Sequence, residues 1–253
     1  MKIAVIGARG LVGSACIQEL EARGATALPL NQSDALPDNA DGAIIASHTS
    51  GQLFNIPFVD CSGTLEETSL VLPAIREINT KRMRIPNCMA SLIAQALAPL
   101  HVQCKLISIL ATCMQSVSGA GWRGIEALKQ NSTEEFFGGK LLHNILPHEK
   151  ATQEERAIKN DLRELFSCEV SATSFRVPVF LGHIASIRIE TTNSIDASLL
   201  PESPVFDPRA LENKREVALG RVRIQKNTAD LVICGDQLTC GTAVPAVSLI
   251  LST

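Results

Sequence analysis

The apolar residues near the start of the chain form three short β-type runs around one helical segment. Lys2 to Ile6 is followed by the glycine-rich segment Gly7-Ala8-Arg9-Gly10-Leu11-Val12-Gly13, and Ser14 to Leu20 then has helical spacing. Ala25 to Leu30 and Gly42 to Ser47 read as the second and third strands. Strand, glycine turn, helix and strand predict a βαβ unit with a parallel sheet, and therefore a Rossmann-like domain.

The second half of the chain has a different pattern. Leu106 to Thr112 reads as a strand, and Thr152 to Phe166 as a charged amphipathic helix. Ile184 to Glu190 ends in the alternation of a half-buried antiparallel strand, and further strands are predicted at Val217 to Arg223 and Asp230 to Cys234. We expect an α/β protein with an α+β second domain built on a largely antiparallel sheet.

Composition narrows the functional classes. The chain has 253 residues, of which 45% are hydrophobic and 19% charged, which is typical of a globular protein and excludes disorder. A net charge of −3 gives no basic surface for nucleic acid, and no apolar run reaches the ~20 residues of a membrane span. The N-terminal run Met1 to Ile6 leads directly into glycines and does not read as a signal peptide, so we expect a cytoplasmic location. Eight cysteines without CxxC or Cys/His spacing predict reduced thiols and no metal site.

The glycine-rich segment predicts nucleotide binding. Its GxxGxxG spacing directly after a strand lets the backbone approach a pyrophosphate at a helix N-terminus. The alternative is a tight turn that binds nothing.

Cys88 is a candidate nucleophile. Pro86-Asn87-Cys88 stands directly before Met89 to Leu100, an apolar run that predicts a buried helix. The dipole at a helix N-terminus favours thiolate over thiol. Taken alone, a cysteine beside an apolar helix is more often a packing residue, and that is our interpretation of the other seven.

Further segments give a family resemblance. Thr112 to Gly121 contains Gln-Ser-Val-Ser-Gly-Ala-Gly, and Arg176 to His183 reads Arg-Val-Pro-Val-Phe-Leu-Gly-His. With the glycine loop and Asn87-Cys88, these segments resemble the aspartate-semialdehyde dehydrogenase family in sequence and in chain order. Asn144 to His148 and Asp236 to Ala243 are similar to two more of its segments. The resemblance extends over nearly the whole chain.

The resemblance implies a catalytic mechanism. Cys88 would attack a β-acyl phosphate or aldehyde carbon, giving a thiohemiacetal or thioacyl enzyme across which hydride passes to or from a nicotinamide. His183 would be the acid/base partner, and Gln115 would orient the substrate and donate to the oxyanion. Without the resemblance, a lone histidine such as His183 is more often structural.

The resemblance also implies the binding residues and the assembly. Arg176 would bind the substrate α-carboxylate bidentately, unless it is a surface strand arginine, and Glu154 would pair with the substrate amino group. Asn87 completes the substrate residues. A homodimer with NADP is expected, its cofactor held by Gly7, Arg9, Gly10, Leu11, Val12, Gly13, Ser47, Gly119, Gln237 and Gly241. The cofactor domain is predicted at 1–87 with 237–253, and the catalytic and dimerisation domain at 88–236.

The chain departs from the family where phosphate is bound. In the family pattern T-x-E-E-x-K, Ala157 replaces the lysine, and Glu66 replaces the arginine that follows the Asp60 segment. A charge-assisted hydrogen bond contributes roughly 1.5 to 3 kcal/mol. Losing both cations predicts much weaker phosphate recognition, unless Lys159, Arg156, Arg84 or Arg123 substitutes from another position.

The nucleotide half departs as well. Gly13 and Cys88 are 75 residues apart, less than is typical of the family, and no Lys or Arg occurs from Gly24 to Ile75. The usual arginine for a 2′-phosphate is therefore absent, and Arg9 is the obvious local substitute. Asp34 could instead accept from a ribose 2′-hydroxyl, so NAD stays open beside NADP.

Two hypotheses of different classes remain. The first is an NADP-dependent semialdehyde dehydrogenase, supported by the presence of both the nucleophile and the base. The second is a dehydrogenase-like paralogue that serves as a dimeric binding protein or has changed substrate, supported by the lost phosphate residues. Such paralogues usually lack the cysteine that this chain has at position 88. A related reductase of N-acetylated acyl phosphates is a third option, although its nucleophile motif is G-C-Y.

Overall fold

The computed structural model describes residues 1–47 and 55–253. The chain divides into two compact units, Met1–Ser91 with Leu238–Thr253, and Leu92–Gln237. The first unit has a parallel sheet and the second a mixed, mostly antiparallel one. The predicted fold class is confirmed.

Secondary structure in the described residues alternates between strands and helices. The helices are α1 (Leu11–Ala22), α2 (Cys88–Gln103), α3 (Gly121–Lys129), α4 (Glu134–Phe137), α5 (Ala151–Phe166) and α6 (Val244–Leu251). The strands of the first unit are β1 (Lys2–Ile6), β2 (Thr26–Leu30), β3 (Gly42–Ile45), β4 (Phe58–Asp60), β5 (Ser69–Leu70) and β6 (Arg82–Arg84). Those of the second are β7 (Leu106–Gln115), β8 (Leu146–Pro147), β9 (Glu169–Arg176), β10 (His183–Thr191), β11 (Ala218–Gln225) and β12 (Thr228–Gly235).

The sheet of the first unit has the strand order β2-β1-β3-β4-β6-β5, and all its pairs are parallel. Ile3 and Val5 of β1 pack in one apolar cluster with residues of α1 and α6, and Ala4 and Ile6 pack in a second cluster. Because both faces of β1 are buried, its sequence is a continuous apolar run rather than an alternation.

The sheet of the second unit has the order β11-β12-β10-β7-β9-β8, with β7 and β9 as its parallel pair. β10 lies between β7 and β12 and is antiparallel to both, as its alternating pattern predicts. Gln115 is paired with Arg176 where β7 and β9 end, and Ile184, next to His183, is paired with Met114. The register therefore brings three predicted site residues to one edge of this sheet.

The predicted elements are present with small shifts of their ends. The third strand ends at Ile45 instead of Ser47, and the first strand of the second unit continues from Thr112 to Gln115. β9, Glu169–Arg176, was not predicted because its sequence alternates polar and small residues without a strong apolar face. Within the described part of the chain, no helix is both long and apolar enough to cross a membrane.

Candidate active site

The ends of β7, β9 and β10 hold three buried polar side chains in the second unit. Gln115 and Arg176 are each 2% exposed, and His183 is completely buried. Burial of polar groups requires hydrogen-bond partners. Their partners define the site.

His183 is held by the residue after Gln115. The backbone N and the Oγ of Ser116 lie 3.3 and 3.2 Å from Nδ1 of the imidazole. Burial first, and the nearby charge of Arg176 second, lower the pKa of His183 to about 3. The ring is therefore neutral at pH 7 and able to accept a proton.

Arg176 is enclosed rather than a surface strand arginine. Its Nε and Nη2 donate to the two carboxylate oxygens of Glu149 across 3.2 and 2.7 Å. Nη2 also contacts Nε2 of His148 at 2.7 Å, and Nη1 donates to the backbone oxygen of Ser116 at 2.6 Å. The ring of Phe137 lies 5.2 Å from the guanidinium carbon. Four of the five N–H donors of Arg176 are thus engaged within the protein.

Charged and neutral partners surround this arginine. Although burial raises the pKa of Glu149, the hydrogen bond and charge of Arg176 lower it overall, so the carboxylate is ionised at neutral pH. Burial and the Arg176 charge lower the pKa of His148, which is therefore neutral there. Sequence reasoning missed Glu149, although it stands directly after the family-like segment that ends at His148.

Gln115 and Glu154 are in direct contact. The amide Nε2 of Gln115 donates to Oε1 of Glu154 across 2.8 Å. The neighbouring carboxylate of Glu155 accepts from the backbone N–H of Ser174 at 2.9 Å. The predicted substrate residues Gln115, Glu154 and Arg176 therefore lie in one connected network of the second unit.

A second network of the same unit joins Ser118, Gly182 and Gln237. Gln237 accepts from the backbone N–H of Gly182 at 3.0 Å and donates to Ser118 at 2.5 Å. A Cβ on neighbouring Gly119 would lie 3.3 Å from Nη1 of Arg176 and 3.6 Å from Nε2 of His183. Glycine at position 119 therefore keeps the backbone close to both side chains without a side chain between them.

The glycine loop of the first unit is tightly built. Gly7 has φ +86°, a region in which glycine is favoured. A Cβ on Gly13 would lie 2.3 Å from the backbone oxygen of Gly7, so only glycine allows this approach of α1 to the end of β1. In the described residues no side chain caps α1 after its N-cap, Gly10, which leaves the helix N-terminus with Leu11 and Val12 for an anion.

Ser47 lies against this loop. Its Oγ is buried and has no hydrogen-bond partner among residues 1–47 and 55–253. A Cβ on Gly7 would lie 2.7 Å from the Cβ of Ser47, so the two residues are neighbours. An uncapped helix start beside a buried hydroxyl is consistent with a bound dinucleotide phosphate or ribose.

The two candidates for the adenosine side differ in their surroundings. Arg9 is exposed in the glycine loop. Asp34 is also exposed, and it accepts from the backbone N and the side-chain Nδ2 of Asn31 at 2.7 and 2.9 Å. Asp34 therefore stabilises its own turn.

Cys88 is the first residue of α2, as the sequence predicts. The side-chain oxygen of Asn87 accepts from the backbone N–H groups of Met89 and Ala90 at 3.0 and 3.3 Å, as an N-cap residue does. Cys88 is partly exposed, whereas six of the eight cysteines are buried. A hydrogen bond with the thiol of Cys16, and burial second, raise the pKa of Cys61, the other partly exposed cysteine.

Glu66 and Ala157 stand where the family has its phosphate-binding arginine and lysine. Asp60 accepts from Ser62 and from the backbone of Leu65, so it orders the loop after β4. Glu66 follows this loop and is exposed, and Ala157 lies on α5. The first unit contains the glycine loop, Ser47, Asn87, Cys88 and Gly241. The second unit contains the other predicted site residues.

The second half of the chain matches a known protein family. The model of the semialdehyde dehydrogenase dimerisation domain matches residues 97–240, which is more than half of the chain. The fold and this match define a semialdehyde dehydrogenase. The chain belongs to the aspartate-semialdehyde dehydrogenase family.

Individual relatives are distant in sequence. The aspartate-semialdehyde dehydrogenase of Rickettsia typhi is 27% identical over 98% of this chain and 96% of its own length. That of Rickettsia conorii is 29% identical over 70% of this chain and 64% of its own length. The first alignment has 326 positions against 253 residues here, so this chain lacks internal segments of that relative.

Solved structures share the fold. Aspartate semialdehyde dehydrogenase II of Vibrio cholerae, in complex with ASA, superposes with a TM-score of 0.82 at 20% identity, covering 99% of this chain and 98% of that one. The Francisella tularensis enzyme superposes with a TM-score of 0.81 at 17% identity, covering 100% and 99%.

Proposed function

We propose that this protein is an NADP-dependent, phosphorylating semialdehyde dehydrogenase that interconverts an acyl phosphate, such as aspartyl phosphate, and its semialdehyde. The observation that supports this most is Cys88 at the start of the 16-residue helix α2, capped by Asn87. A helix dipole at this position favours the thiolate, which is the nucleophilic form.

In the oxidative direction the sulfur of Cys88 adds to the aldehyde carbon, and a C–S bond forms. The thiol proton passes to neutral His183, which gives it to the new alkoxide oxygen. His183 takes this proton back as hydride leaves the carbon, and a thioester remains. An oxygen of inorganic phosphate then attacks the thioester, the C–S bond breaks, and Cys88 leaves as thiolate with the acyl phosphate released.

The low pKa of His183 describes the protein without substrate. It keeps the free imidazole neutral, and because the buried imidazolium is unfavourable, the ring holds the thiol proton only in passing between the sulfur and the alkoxide oxygen. Gln115 orients the substrate, and Glu154, Arg176 and Asn87 bind it.

Cofactor binding is assigned to residues 1–87 with 237–253, and catalysis and dimerisation to residues 88–236. A nicotinamide cofactor, when bound, supplies hydride acceptance and donation. The glycine loop and Ser47 would hold its pyrophosphate and ribose, with Gly119, Gln237 and Gly241 completing the site. Arg9 would pair with the 2′-phosphate of NADP, and NAD remains the alternative because of the missing cations after β2.

The test is a turnover assay with aspartate β-semialdehyde, phosphate and either NADP or NAD, following reduced nicotinamide. Cys88→Ser should abolish turnover. The matched control is Cys104→Ser near the other end of α2, where a hydroxyl can still donate to the backbone oxygen of Ser194 as the thiol does. Cys104→Ser should keep full activity.

Turnover that survives Cys88→Ser would contradict the mechanism. Absence of turnover with both cofactors, in a folded dimer and also with an aldehyde that lacks the α-carboxylate, would instead favour the second candidate, a dehydrogenase-like protein kept for binding. That candidate is favoured by Ala157 and Glu66, which stand where the family has its phosphate-binding lysine and arginine.

A further inference from the structure

The carboxylate-binding edge of Arg176 is filled by the protein itself. A guanidinium binds a carboxylate best through two parallel N–H groups, and here Nε and Nη2 both donate to Glu149. The other edge of the guanidinium is divided between His148 and the backbone oxygen of Ser116.

The surroundings leave little room for a second carboxylate. Arg176 is 2% exposed, and the buried ring of Phe137 lies over it. Displacing Glu149 would break a bidentate ion pair in which the arginine side chain is 2% and the carboxylate side chain 15% exposed, which is costly.

The local charge is also unfavourable for an anion. Arg176 and the carboxylates of Glu149, Glu154 and Glu155 all act electrostatically on His148, so they lie close together. Among the groups that act on the neutral His148, three are carboxylates and one is a guanidinium. Such a cluster attracts an ammonium group and repels a carboxylate.

We propose that Glu149 determines substrate specificity by taking the place of a substrate carboxylate on Arg176, so that the protein acts on short amino aldehydes without an α-carboxylate. This inference rests on the proposed function, since it assumes that the network around Arg176 receives the substrate. The preferred aldehyde would be the decarboxylated counterpart of aspartate β-semialdehyde, 3-aminopropanal.

The test compares kcat/KM for 3-aminopropanal and aspartate β-semialdehyde. The wild-type protein should prefer 3-aminopropanal by about 100-fold, the effect expected of one bidentate charge-assisted pair. Glu149→Ala should reverse most of that preference by opening the guanidinium to the substrate carboxylate. Glu135→Ala, an exposed carboxylate on α4, is the control for lost charge and should keep the wild-type ratio.

Glu149→Gln keeps the proposal testable if the alanine variant does not fold. It keeps the side-chain shape and one acceptor for Arg176, and it should shift the ratio in the same direction by a smaller factor. A wild-type preference for aspartate β-semialdehyde, or a ratio unchanged in both Glu149 variants, would overturn the proposal and leave the dehydrogenase function standing.

A binding measurement separates failure of the two proposals. L-2-Aminobutyrate and propylamine differ only in the α-carboxylate, and their binding can be titrated calorimetrically without turnover. Glu149→Ala should gain affinity for L-2-aminobutyrate by about 100-fold, with propylamine little changed. That gain without turnover of any aldehyde would support the role of Glu149 and refute the dehydrogenase; no gain would overturn the role of Glu149.

Discussion

The buried imidazole of His183 should make the protein less stable in mild acid. Its pKa is about 3 in the folded protein, against an ordinary value of about 6.5 in an unfolded chain. Between these values the unfolded state binds one more proton than the folded state, so the free energy of unfolding falls as the pH falls. This loss of stability is absent above about pH 7.5 and grows as the pH falls below 6.5.

The magnitude follows from the distance in pH. A pH of 5 lies about 1.5 units below the pKa of the imidazole in the unfolded chain, and each unit corresponds to about 1.36 kcal/mol. His183 should therefore lower the free energy of unfolding by about 2 kcal/mol between pH 8 and pH 5. His183→Gln removes this contribution, whatever its effect on stability at pH 8.

Urea unfolding at the two pH values measures this difference. The single tryptophan, Trp122, lies in α3 of the second unit, so its fluorescence reports on the unit that contains His183. The wild-type protein should lose about 2 kcal/mol more than His183→Gln on going from pH 8 to pH 5. The exposed His143, changed to Asn, should behave like wild type. Equal losses in wild type and His183→Gln would refute the reasoning.

Three further predictions concern the two units. Gly13→Ala places a Cβ 2.3 Å from a backbone oxygen that cannot rotate away, so we expect a loss of about 1–3 kcal/mol in urea unfolding and weaker nicotinamide binding by calorimetry. Gly24→Ala, whose Cβ meets no atom within 4 Å, should leave that binding unchanged, and equal binding by both variants would exclude the loop as the nucleotide site. Iodoacetamide should alkylate Cys88 ahead of the other seven cysteines, as mass spectrometry of peptides would show, and uniform slow labelling would contradict an activated thiol. Ala157→Lys combined with Glu66→Arg should lower KM for phosphate by roughly tenfold or more, and no change would mean that another residue binds phosphate or that phosphate is not a substrate.

The sequence predicted the elements whose pattern is set by local physics. β1 and α1 were found from a continuous apolar run, a glycine turn and helical spacing, because burial on both sides of a parallel strand leaves that signal. The start of α2 at Cys88 was predicted from the apolar run Met89 to Leu100 that follows it, and the structure adds the cap by Asn87.

Long-range partners could not be predicted in the same way. Arg176 and Glu149 are 27 residues apart in the chain, and their ion pair depends on where β8 and β9 meet. The sequence shows only that an acid follows His148. β9 was missed for a related reason, since a strand of small and polar residues becomes visible only through its neighbour β7.

The first unit is assembled from both ends of the chain, and this has a consequence for its synthesis. Residues of α6 lie in the same apolar cluster as Ile3, Val5 and Ile44. The N-terminal part of the first unit ends at Ser91, and α6 ends 160 residues later, at Leu251. At about 5–20 residues per second, a ribosome needs about 8–32 s to add them. During that time the apolar surface that α6 will cover stays exposed on the nascent chain, which makes it a binding site for chaperones.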